Sequence, residues 1–315
     1  MTNPLQYAIV VEGLTKSFPG VRAVDALSFD VRAGEIFGLV GPDGAGKTTT
    51  LRMLAGIMPP NAGKAMVAGY DVARDPEGAK HALSYMPQRF GLYEDLTVEE
   101  NIRFYADLFG VSKIERDERS TQLLVAAGMS EFRRRLAGKL SGGMKQKLGL
   151  VCALIHRPKV ILLDEPTTGV DPVSRRDFWR ILYELVAEGV AILTSTAYLD
   201  EAERCHRVAL MHQGRLLFCD TPANLKTQFG KGVLSITAVE PRRLRDELEG
   251  AVGISSLMLI GDGLHIVVDD AARRIPEFEA LLKNAHISFD AIQQVAPSIE
   301  DLFVDAVGAG ASHHA

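Results

Sequence analysis

Gly41-Pro42-Asp43-Gly44-Ala45-Gly46-Lys47-Thr48 is the stretch that decides the fold of this chain. It fits the pattern G-x-x-x-x-G-K-[ST], in which glycines let successive backbone N–H groups turn inward around a polyphosphate. Residues 35–40 before it predict a strand, and residues 49–55 after it have helical character. A strand, this loop and a helix form the context of a phosphate-binding loop, because the helix amino terminus adds partial positive charge. Lys47 is predicted to reach the outer phosphates, and the Thr48 hydroxyl to take a Mg²⁺ position.

Composition limits what the rest of the chain is expected to be. The 315 residues suggest one large or two moderate domains, and a net charge of −5 gives no general basic field for nucleic acid. The cysteines Cys152, Cys205 and Cys219 lie in apolar runs without metal-ligand spacing, which is typical of reduced core thiols in a cytoplasmic protein. We see no signal peptide and no apolar run near the ~20 residues of a membrane span, so any membrane role is expected to come through a partner.

A second chemical feature is a pair of carboxylates at the end of an apolar run. Residues 160–163 are continuously apolar and are followed by Asp164 and Glu165. Such a run predicts a central parallel strand, whose carboxyl end is where ligands bind in open α/β sheets. We predict that Asp164 supports Mg²⁺, directly or through water, and that Glu165 orients and deprotonates an attacking water. Residues 190–195 predict the next buried strand, and residues 198–207 an acidic helix.

Two further stretches leave alternatives open on residue patterns alone. Ser141-Gly142-Gly143 opens an apolar helix over residues 148–155, which fits either a second anion site or an ordinary capped helix start. Phe18 could stack on an adenine ring, although its position alone favours a half-buried loop aromatic. Residues 57–86 are turn-rich and then helical, with a short strand at their end, and residues 97–136 show helical spacing.

The pattern changes after residue 229. Strands and helices alternate there in the order β-α-β-β-α-β, which predicts a small two-layer α+β domain over residues 230–307 without a catalytic cluster. Residues 308–315 are predicted to be a flexible tail.

The motifs, in this order, resemble those of the nucleotide-binding subunit of an ABC transporter, over residues 6 to about 225. The resemblance implies an α/β P-loop NTPase fold of the ABC type over residues 1–229, with a helical subdomain at about 89–139. Matching elements are the first nucleotide motif (Gly41 to Thr48), the Mg²⁺-sensing glutamine (Gln88), the signature sequence (Leu140 to Gln146), the second nucleotide motif (Val160 to Glu165) and the loop that crosses to the partner subunit (Gly169-Val170-Asp171). Phe18 matches the adenine-stacking aromatic of the family, which reverses the interpretation from position alone.

The resemblance also implies ligands and the residues that hold them. ATP and Mg²⁺ are the expected ligands, with Thr48, Gln88 and Asp164 around the metal and with Glu165 and Gln88 as catalytic residues. The residues expected to contact ATP are Phe18, Gly41, Pro42, Asp43, Gly44, Ala45, Gly46, Lys47, Thr48, Thr49 and Asp164.

Family mechanism implies a head-to-tail dimer with a second nucleotide-binding subunit, which is either a heterologous subunit with an intact His or a second copy of this chain. Ser141-Gly142-Gly143 would then contact the ATP of that subunit. The helical segment 89–139 would press on an ABC-2 type membrane permease, with Leu92-Tyr93-Glu94 near the contact. The chain is therefore expected on the inner face of the cell membrane as a peripheral cytoplasmic subunit, and no nucleic acid partner is expected.

The appended domain and residues 297–303 are similar to the tail of the drug-exporter branch with ABC-2 type permeases. This similarity implies efflux of drugs or other small hydrophobic molecules through a separate permease, driven by ATP hydrolysis. A soluble ABC ATPase acting on ribosomes or nucleic acid is the alternative, but it would favour two such domains and a basic linker, and the sequence has neither.

Three positions depart from the family pattern. Asp43 stands where Asn is usual, and Lys147 stands where Arg is common. Ala197 stands where the family has a His that contacts the γ-phosphate and the Glu. Residues 195–198 resemble the first half of tandem double-ATPase exporter subunits, in which one site is degenerate. Ala197 therefore favours a further alternative, a regulatory ATP-binding subunit with little turnover, whereas Glu165 opposes it.

Overall fold

Two compact units make up the computed structural model, which describes residues 7–311, with side chains as far as residue 308. One unit comprises the residues up to Glu201 together with Cys205–Cys219, and the other comprises Ala202–Arg204 together with the residues from Asp220 onward. Strands and helices are numbered below in chain order. None of the helices within residues 7–311 is both long and apolar enough to cross a bilayer.

A six-stranded sheet forms the centre of the first unit. Across the sheet, its strands are β10 (Arg215–Asp220), β9 (Arg207–His212), β3 (Ile36–Val40), β8 (Ala191–Thr196), β7 (Val160–Asp164) and β6 (Leu83–Met86). Strands β9, β3, β8, β7 and β6 pair in parallel. Every residue of β3, β7 and β8 is buried, as the apolar runs in their sequences predict, and the polar residues of β7 and β8 lie at their carboxyl ends. Their register places the carboxyl ends together, with Val40 opposite Thr196 and Asp164 opposite Ser195.

A second, antiparallel sheet completes the first unit. Its strands, in order, are β2 (Val21–Arg32), β1 (Tyr7–Phe18), β4 (Ala62–Val67) and β5 (Tyr70–Asp71). The prediction that residues 57–86 are only turn-rich and helical before their final strand is wrong over β4. The sequence Ala-Gly-Lys-Ala-Met-Val has weak local strand preference, and its conformation is supplied by antiparallel pairing with β1.

The helices of the first unit differ in extent from the sequence pattern. They are α1 (Lys47–Leu54), α2 (Pro76–Ala82), α3 (Val98–Leu108), α4 (Lys113–Ala126), α5 (Gly142–Leu154), α6 (Pro172–Ala187) and α7 (Leu199–Ala202). The helical pattern of residues 97–136 is divided between α3 and α4, each begun by a capping box, at Thr97 and at Ser112. Two short 3₁₀ turns follow, Ser130–Phe132 and Ala137–Lys139.

Helix α7 is shorter than the predicted helix of residues 198–207. The backbone N–H of His206 donates to Ile36 O at 2.9 Å, and His206 Nδ1 accepts from Ile36 N at 3.1 Å. These bonds commit the chain to strand β9 before another helical turn can form. The three cysteines are thiols, and Cys152 and Cys205 are buried as expected.

The second unit has the predicted β-α-β-β-α-β order. Its elements are α8 (Pro222–Gln228), β11 (Gly232–Thr237), α9 (Pro241–Leu248), β12 (Ile254–Ile260), β13 (Gly263–Val268), α10 (Ala271–Asn284), β14 (Gln293–Val295) and α11 (Ile299–Ala311). The strands form one antiparallel sheet in the order β12-β13-β11-β14, which is the split βαβ arrangement. A separate apolar core joins β11 and β13 to α9 and α10.

Both ends of this unit differ from the predicted boundaries. Helix α8 groups with the second unit, so the boundary predicted at residue 229 falls after that helix rather than before it. The prediction of a flexible tail from residue 308 is wrong over residues 308–311, because α11 continues through Ala311. This helix is held by Lys231, which bonds both carboxylate oxygens of Asp305 at 2.8 and 2.9 Å. Residues 312–315 of the predicted tail lie outside the described residues.

Candidate active site

The glycine-rich loop lies between β3 and α1, and its glycines are required by close backbone approach. A Cβ atom on Gly41 would lie 2.3 Å from the Met211 carbonyl oxygen, and one on Gly46 would lie 2.3 Å from the Ala23 carbonyl oxygen. Gly46 also has a φ of 100°, in the left-handed region that favours glycine. The loop can therefore take this path only with glycine at both positions.

Free backbone N–H groups at the end of the loop can bind an anion. Helix α1 begins at Lys47, and its N-cap residue Gly46 provides no side-chain cap. Among the described residues, the amide groups of Lys47, Thr48 and Thr49 have no acceptor within hydrogen-bond range. Uncapped amides at a helix amino terminus bind phosphate groups, because they combine donors with the positive end of the helix dipole.

Lys47 supplies the mobile cation of the loop. Its ammonium donates to the carbonyl oxygens of Gly41 at 2.7 Å and Pro42 at 3.0 Å. It also lies 3.3 Å from Glu165 Oε1, and the side chain is only 4% exposed. The loop thus folds back on its own lysine, which holds the positive charge beside the free amides.

Asp164 lies at the carboxyl end of β7 and accepts three hydroxyl hydrogen bonds. Thr48 Oγ1 and Ser195 Oγ donate to its Oδ1 at 2.9 and 2.8 Å, and the Tyr85 hydroxyl donates to its Oδ2 at 3.2 Å. Burial raises the pKa of Tyr85 to about 12, and the nearby charge of Asp164 acts in the same direction. Tyr85 therefore remains a neutral donor at physiological pH, and the carboxylate of Asp164 is held in one orientation.

Glu165 has a strained backbone and a fixed side chain. Its φ of 48° is uncommon for a residue with a side chain, and such strain persists where the surroundings enforce it. The enforcing contact is Ser195, whose carbonyl oxygen and hydroxyl both accept from Glu165 N at 3.1 Å. Gln88 Nε2 donates to Glu165 Oε2 at 3.1 Å, and Thr168 Oγ1 donates to the same oxygen at 3.4 Å. The carboxylate is therefore aimed at the loop by neighbours on both sides.

These donor atoms fit Mg²⁺. A hydroxyl from Thr48, a carboxylate from Asp164 and the side-chain amide of Gln88 are hard oxygen ligands, and Mg²⁺ usually combines one or two carboxylates with substrate phosphates. Within residues 7–311, no group of three or more His, Cys, Asp and Glu side chains forms a separate metal site. A metal at this position would therefore take its remaining ligands from phosphate and water.

The other predicted site residues lie in the outer part of the loop, at the end of β1 and at the start of α5. Pro42, Asp43 and Gly44 form the exposed outer part of the loop, whereas Ala45 is buried. Phe18 is the last residue of β1, is 42% exposed and lies opposite Val21 of β2. Strand β2 also contains Ala23, whose carbonyl oxygen lies beside Gly46 of the loop.

Ser141-Gly142-Gly143 forms the start of α5, apart from the loop. Ser141 is the N-cap, and its Oγ accepts from Met144 N at 3.3 Å. A Cβ atom on Gly143 would lie 2.5 Å from Ser174 Cβ, so glycine is needed where α5 meets α6. Among the described residues, no hydrogen bond joins this segment to the glycine-rich loop.

Sequence reasoning missed Tyr85, Thr168 and Ser195 as members of the site. Tyr85 and Ser195 lie near the carboxyl ends of strands that the sequence predicts, which is the available signal. Ala197 is exposed and follows Thr196, whose carbonyl oxygen accepts from Gly41 N at 3.3 Å. Position 197 therefore lies beside the glycine-rich loop without a side chain that can donate or accept a proton.

Comparison with known proteins gives one family. The family model described as "ABC transporter" matches residues 24–168. The chain is 46% identical over 313 residues to the probable multidrug ABC transporter ATP-binding protein YbhF of Escherichia coli K12, covering 95% of this chain and 52% of that protein. The chain thus spans about half the length of the first curated relatives that it matches.

Two further matches extend along most of the related chain. The Nod factor export ATP-binding protein I of Paraburkholderia xenovorans LB400 is 37% identical over 303 residues, which are 96% of this chain and 97% of that protein. A solved structure described as the ATP binding subunit of an ABC transporter is 33% identical, covers 71% of this chain and 93% of its own, and has a TM-score of 0.65. The predicted fold class is confirmed by this structural similarity.

Proposed function

Because this chain belongs to the ABC transporter family, we propose that it binds and hydrolyses ATP as a subunit of an ABC-2 type exporter. The observation that carries the proposal is the convergence of Lys47, Thr48, Asp164 and Glu165 at one edge of the central sheet, joined by contacts of 2.9 to 3.3 Å. A phosphate-binding loop beside two oriented carboxylates is the arrangement needed for phosphoryl transfer to water.

The residues divide the chemistry between binding and proton transfer. The free amides of Lys47, Thr48 and Thr49 hold phosphate oxygens, and the Lys47 ammonium moves from Glu165 to the outer phosphates. Thr48, Asp164 and Gln88 would hold Mg²⁺, which would supply positive charge beside the phosphoryl oxygens. Glu165 accepts a proton from the attacking water, and Gln88 keeps that carboxylate in position.

The signature segment is proposed to act on a second subunit. Ser141-Gly142-Gly143 opens α5 with free backbone donors, and it makes no hydrogen bond to the loop of its own chain within the described range. In a head-to-tail dimer, this segment would contact the ATP of the partner, so that the nucleotide would be enclosed between the two chains.

Export through a separate permease is supported by the relatives and by the surface of the helical subdomain. The two relatives are named for multidrug transport and for Nod factor export. Tyr93 and Phe104, with ring centroids 4.6 Å apart, are 47% and 39% exposed on this subdomain. Exposed aromatic pairs are favourable anchors at protein interfaces. We propose that this surface, next to Leu92 and Glu94, contacts an ABC-2 type permease that transports drugs or other small hydrophobic molecules.

Position 197 supports a second candidate, a regulatory subunit with little turnover of its own. Ala197 provides no imidazole for the γ-phosphate, whereas Glu165 and its partners are complete. The two candidates differ mainly in the rate of turnover, since both rely on the same phosphate-binding loop and the same pair of carboxylates.

ATP binding and turnover by the purified chain, alone and with co-purified membrane partners, test the proposal. We expect ATP binding with Mg²⁺, and turnover that is lost in Glu165→Gln while binding is kept. Recovery of a membrane permease with the tagged chain is expected for an exporter subunit. Failure to bind ATP would refute the proposal, and binding without turnover in any complex would favour the regulatory subunit.

A further inference from the structure

A buried carboxylate, Glu201, connects two segments that border the candidate active site. Glu201 lies in α7 and is 1% exposed. Its Oε1 accepts from Thr167 Oγ1 at 2.6 Å and from Trp179 Nε1 at 3.4 Å. Its Oε2 accepts from Thr196 Oγ1 at 2.9 Å. The three donors are themselves no more than 2% exposed, so the network excludes solvent.

One oxygen of Glu201 fixes the segment beside the glycine-rich loop. Thr196, which binds Oε2 through its hydroxyl, also accepts from Gly41 N through its carbonyl oxygen at 3.3 Å. The same Thr196 hydroxyl accepts from Tyr198 N at 3.0 Å. The backbone on either side of position 197 is therefore held by a single hydroxyl, and that hydroxyl is oriented by Glu201.

The other oxygen of Glu201 fixes the turn that follows Glu165. Thr167, bound to Oε1, begins the segment 167–171, and its carbonyl oxygen accepts from Val170 N at 3.1 Å. Asp171 ends the segment and caps α6 by accepting from Val173 N and Ser174 N, and these bonds to Ser174 and Val173 lower the pKa of its carboxyl. Ser174 lies next to Gly143 of the signature segment, where an added Cβ would be 2.5 Å from Ser174 Cβ. The turn that resembles the family's loop toward the partner subunit is thus joined to the same carboxylate.

Arg175 of α6 supplies the positive charge next to the Glu201 network. Its Nε lies 3.5 Å from Glu201 Oε1, its Nη1 lies 3.7 Å from Asp200 Oδ2, and its guanidinium lies 4.7 Å from the centroid of the Tyr198 ring. A single positive charge therefore balances the buried carboxylate and covers residues 198–201. Buried charges are kept when they are paired and hydrogen-bonded, which is the state of Glu201.

We propose that Glu201 is a positioning residue that couples the segment at position 197 to the turn 167–171, so that Trp179 responds when nucleotide reaches the loop. The inference rests on the proposed ATP site, because it assigns a response to that site. The physical reason is that one carboxylate oxygen of Glu201 binds Thr196, whereas the other binds Thr167 and Trp179. When nucleotide moves Gly41 or Thr196, Glu201 must move with them or lose a buried hydrogen bond, and Thr167 and Trp179 are bonded to its other oxygen.

The chain carries its own reporter for this coupling. It contains one tryptophan, Trp179, so the tryptophan emission comes from the network itself. The full-length chain would be titrated with Mg²⁺ and ATP, and Trp179 emission would be recorded with excitation outside the absorption of ATP. Equilibrium dialysis with radiolabelled ATP would measure occupancy in the same solutions without using the tryptophan.

Two substitutions test the path on either side of Glu201. Thr196→Val and Thr167→Val each remove one hydroxyl with little change in volume, and Glu201→Gln removes the charge. Glu35→Gln is the matched control, because Glu35 is also a buried carboxylate, bonded to Arg32 N at 2.7 Å and outside the network. We expect a saturable change of emission in the wild type and in Glu35→Gln, and loss of that change in Thr196→Val at full ATP occupancy.

The outcomes separate the inference from the proposed function. If the wild type binds ATP but Trp179 emission does not change, or if Thr196→Val keeps the full change, the coupling through Glu201 is wrong. If dialysis finds no ATP binding by the wild type, the proposed function fails and the inference fails with it. If Glu201→Gln does not fold, Thr196→Val still decides between these results.

Discussion

Replacement of Lys47 by alanine would remove the only side-chain cation that lies within 4 Å of Glu165 in the described chain. The ammonium has three donors, of which two bind the carbonyl oxygens of Gly41 and Pro42 and the third faces Glu165. On nucleotide binding, the third donor would pass to a phosphate oxygen. A hydrogen bond to a charged group contributes about 1.5–3 kcal/mol, and 1.4 kcal/mol corresponds to tenfold in affinity. Lys47→Ala is therefore expected to weaken ATP binding by roughly 10-fold to 100-fold.

The loss of ATP affinity in Lys47→Ala is expected in the upper part of that range because of Glu165. Without Lys47, the Glu165 carboxylate would face the phosphates with no neighbouring positive charge, and like charges at this distance repel. Turnover is expected to fall further than binding, because the lysine also balances charge that develops during phosphoryl transfer.

Equilibrium dialysis with radiolabelled ATP and a phosphate-release assay would measure the two effects. Lys64→Ala is the matched control, since Lys64 is exposed on β4 and is not expected to affect either quantity. A thermal melt would confirm that Lys47→Ala is folded. If folded Lys47→Ala binds and hydrolyses ATP as the wild type does, the assignment of the phosphate-binding loop is refuted.

Three further changes test position 197, the independence of the second unit and the hydrogen bond from Tyr85 to Asp164. Ala197→His is expected to raise turnover in homodimer-forming conditions, toward the ~10²–10⁴-fold that positioned proton-transfer groups contribute, and no gain over an already active wild type would contradict a degenerate site. A chain ending at residue 220, before helix α8 of the second unit, is expected to bind ATP with unchanged affinity by dialysis, and an insoluble product would indicate a shared core. Tyr85→Phe is expected to weaken Mg²⁺-dependent ATP binding about fivefold, because Asp164 loses one hydrogen bond worth ~1 kcal/mol. With the pKa of Tyr85 raised from 10.0 to about 12, its stabilising effect is present below pH 10 and lost as the pH rises through 12, so melts of wild type and variant are expected to converge there.

The sequence determined the features that are encoded over a few adjacent residues. The loop from Gly41 to Thr48 could be recognised because its glycines, its lysine and its helix start act through a contiguous backbone. The buried strands of the central sheet could be predicted for a similar reason, since a strand covered on both faces has a nearly continuous apolar run. The order of elements in the second unit followed from the same local patterns.

Tertiary structure decided which distant residues meet. Asp164 is bonded to Tyr85, 79 residues away, and to Ser195, 31 residues away, and neither pairing leaves a local signal. They depend on the register that places Asp164 opposite Ser195 in β7 and β8. Register is set by the packing of the whole sheet, and a shift of one residue would turn each side chain to the other face.

The same cause explains the elements that local propensity predicted wrongly. Strand β4 forms because it pairs with β1. Helix α7 ends early because the backbone of His206 bonds to Ile36. Helix α11 continues beyond residue 308, and its contact with Lys231 holds it in place. Glu201 is the clearest example, because an acidic residue at the start of a predicted helix is ordinarily a solvated group. Only the folded chain brings Thr167, Thr196 and Trp179 around it, since hydrogen bonds to a buried carboxylate require donors that sequence separation cannot indicate.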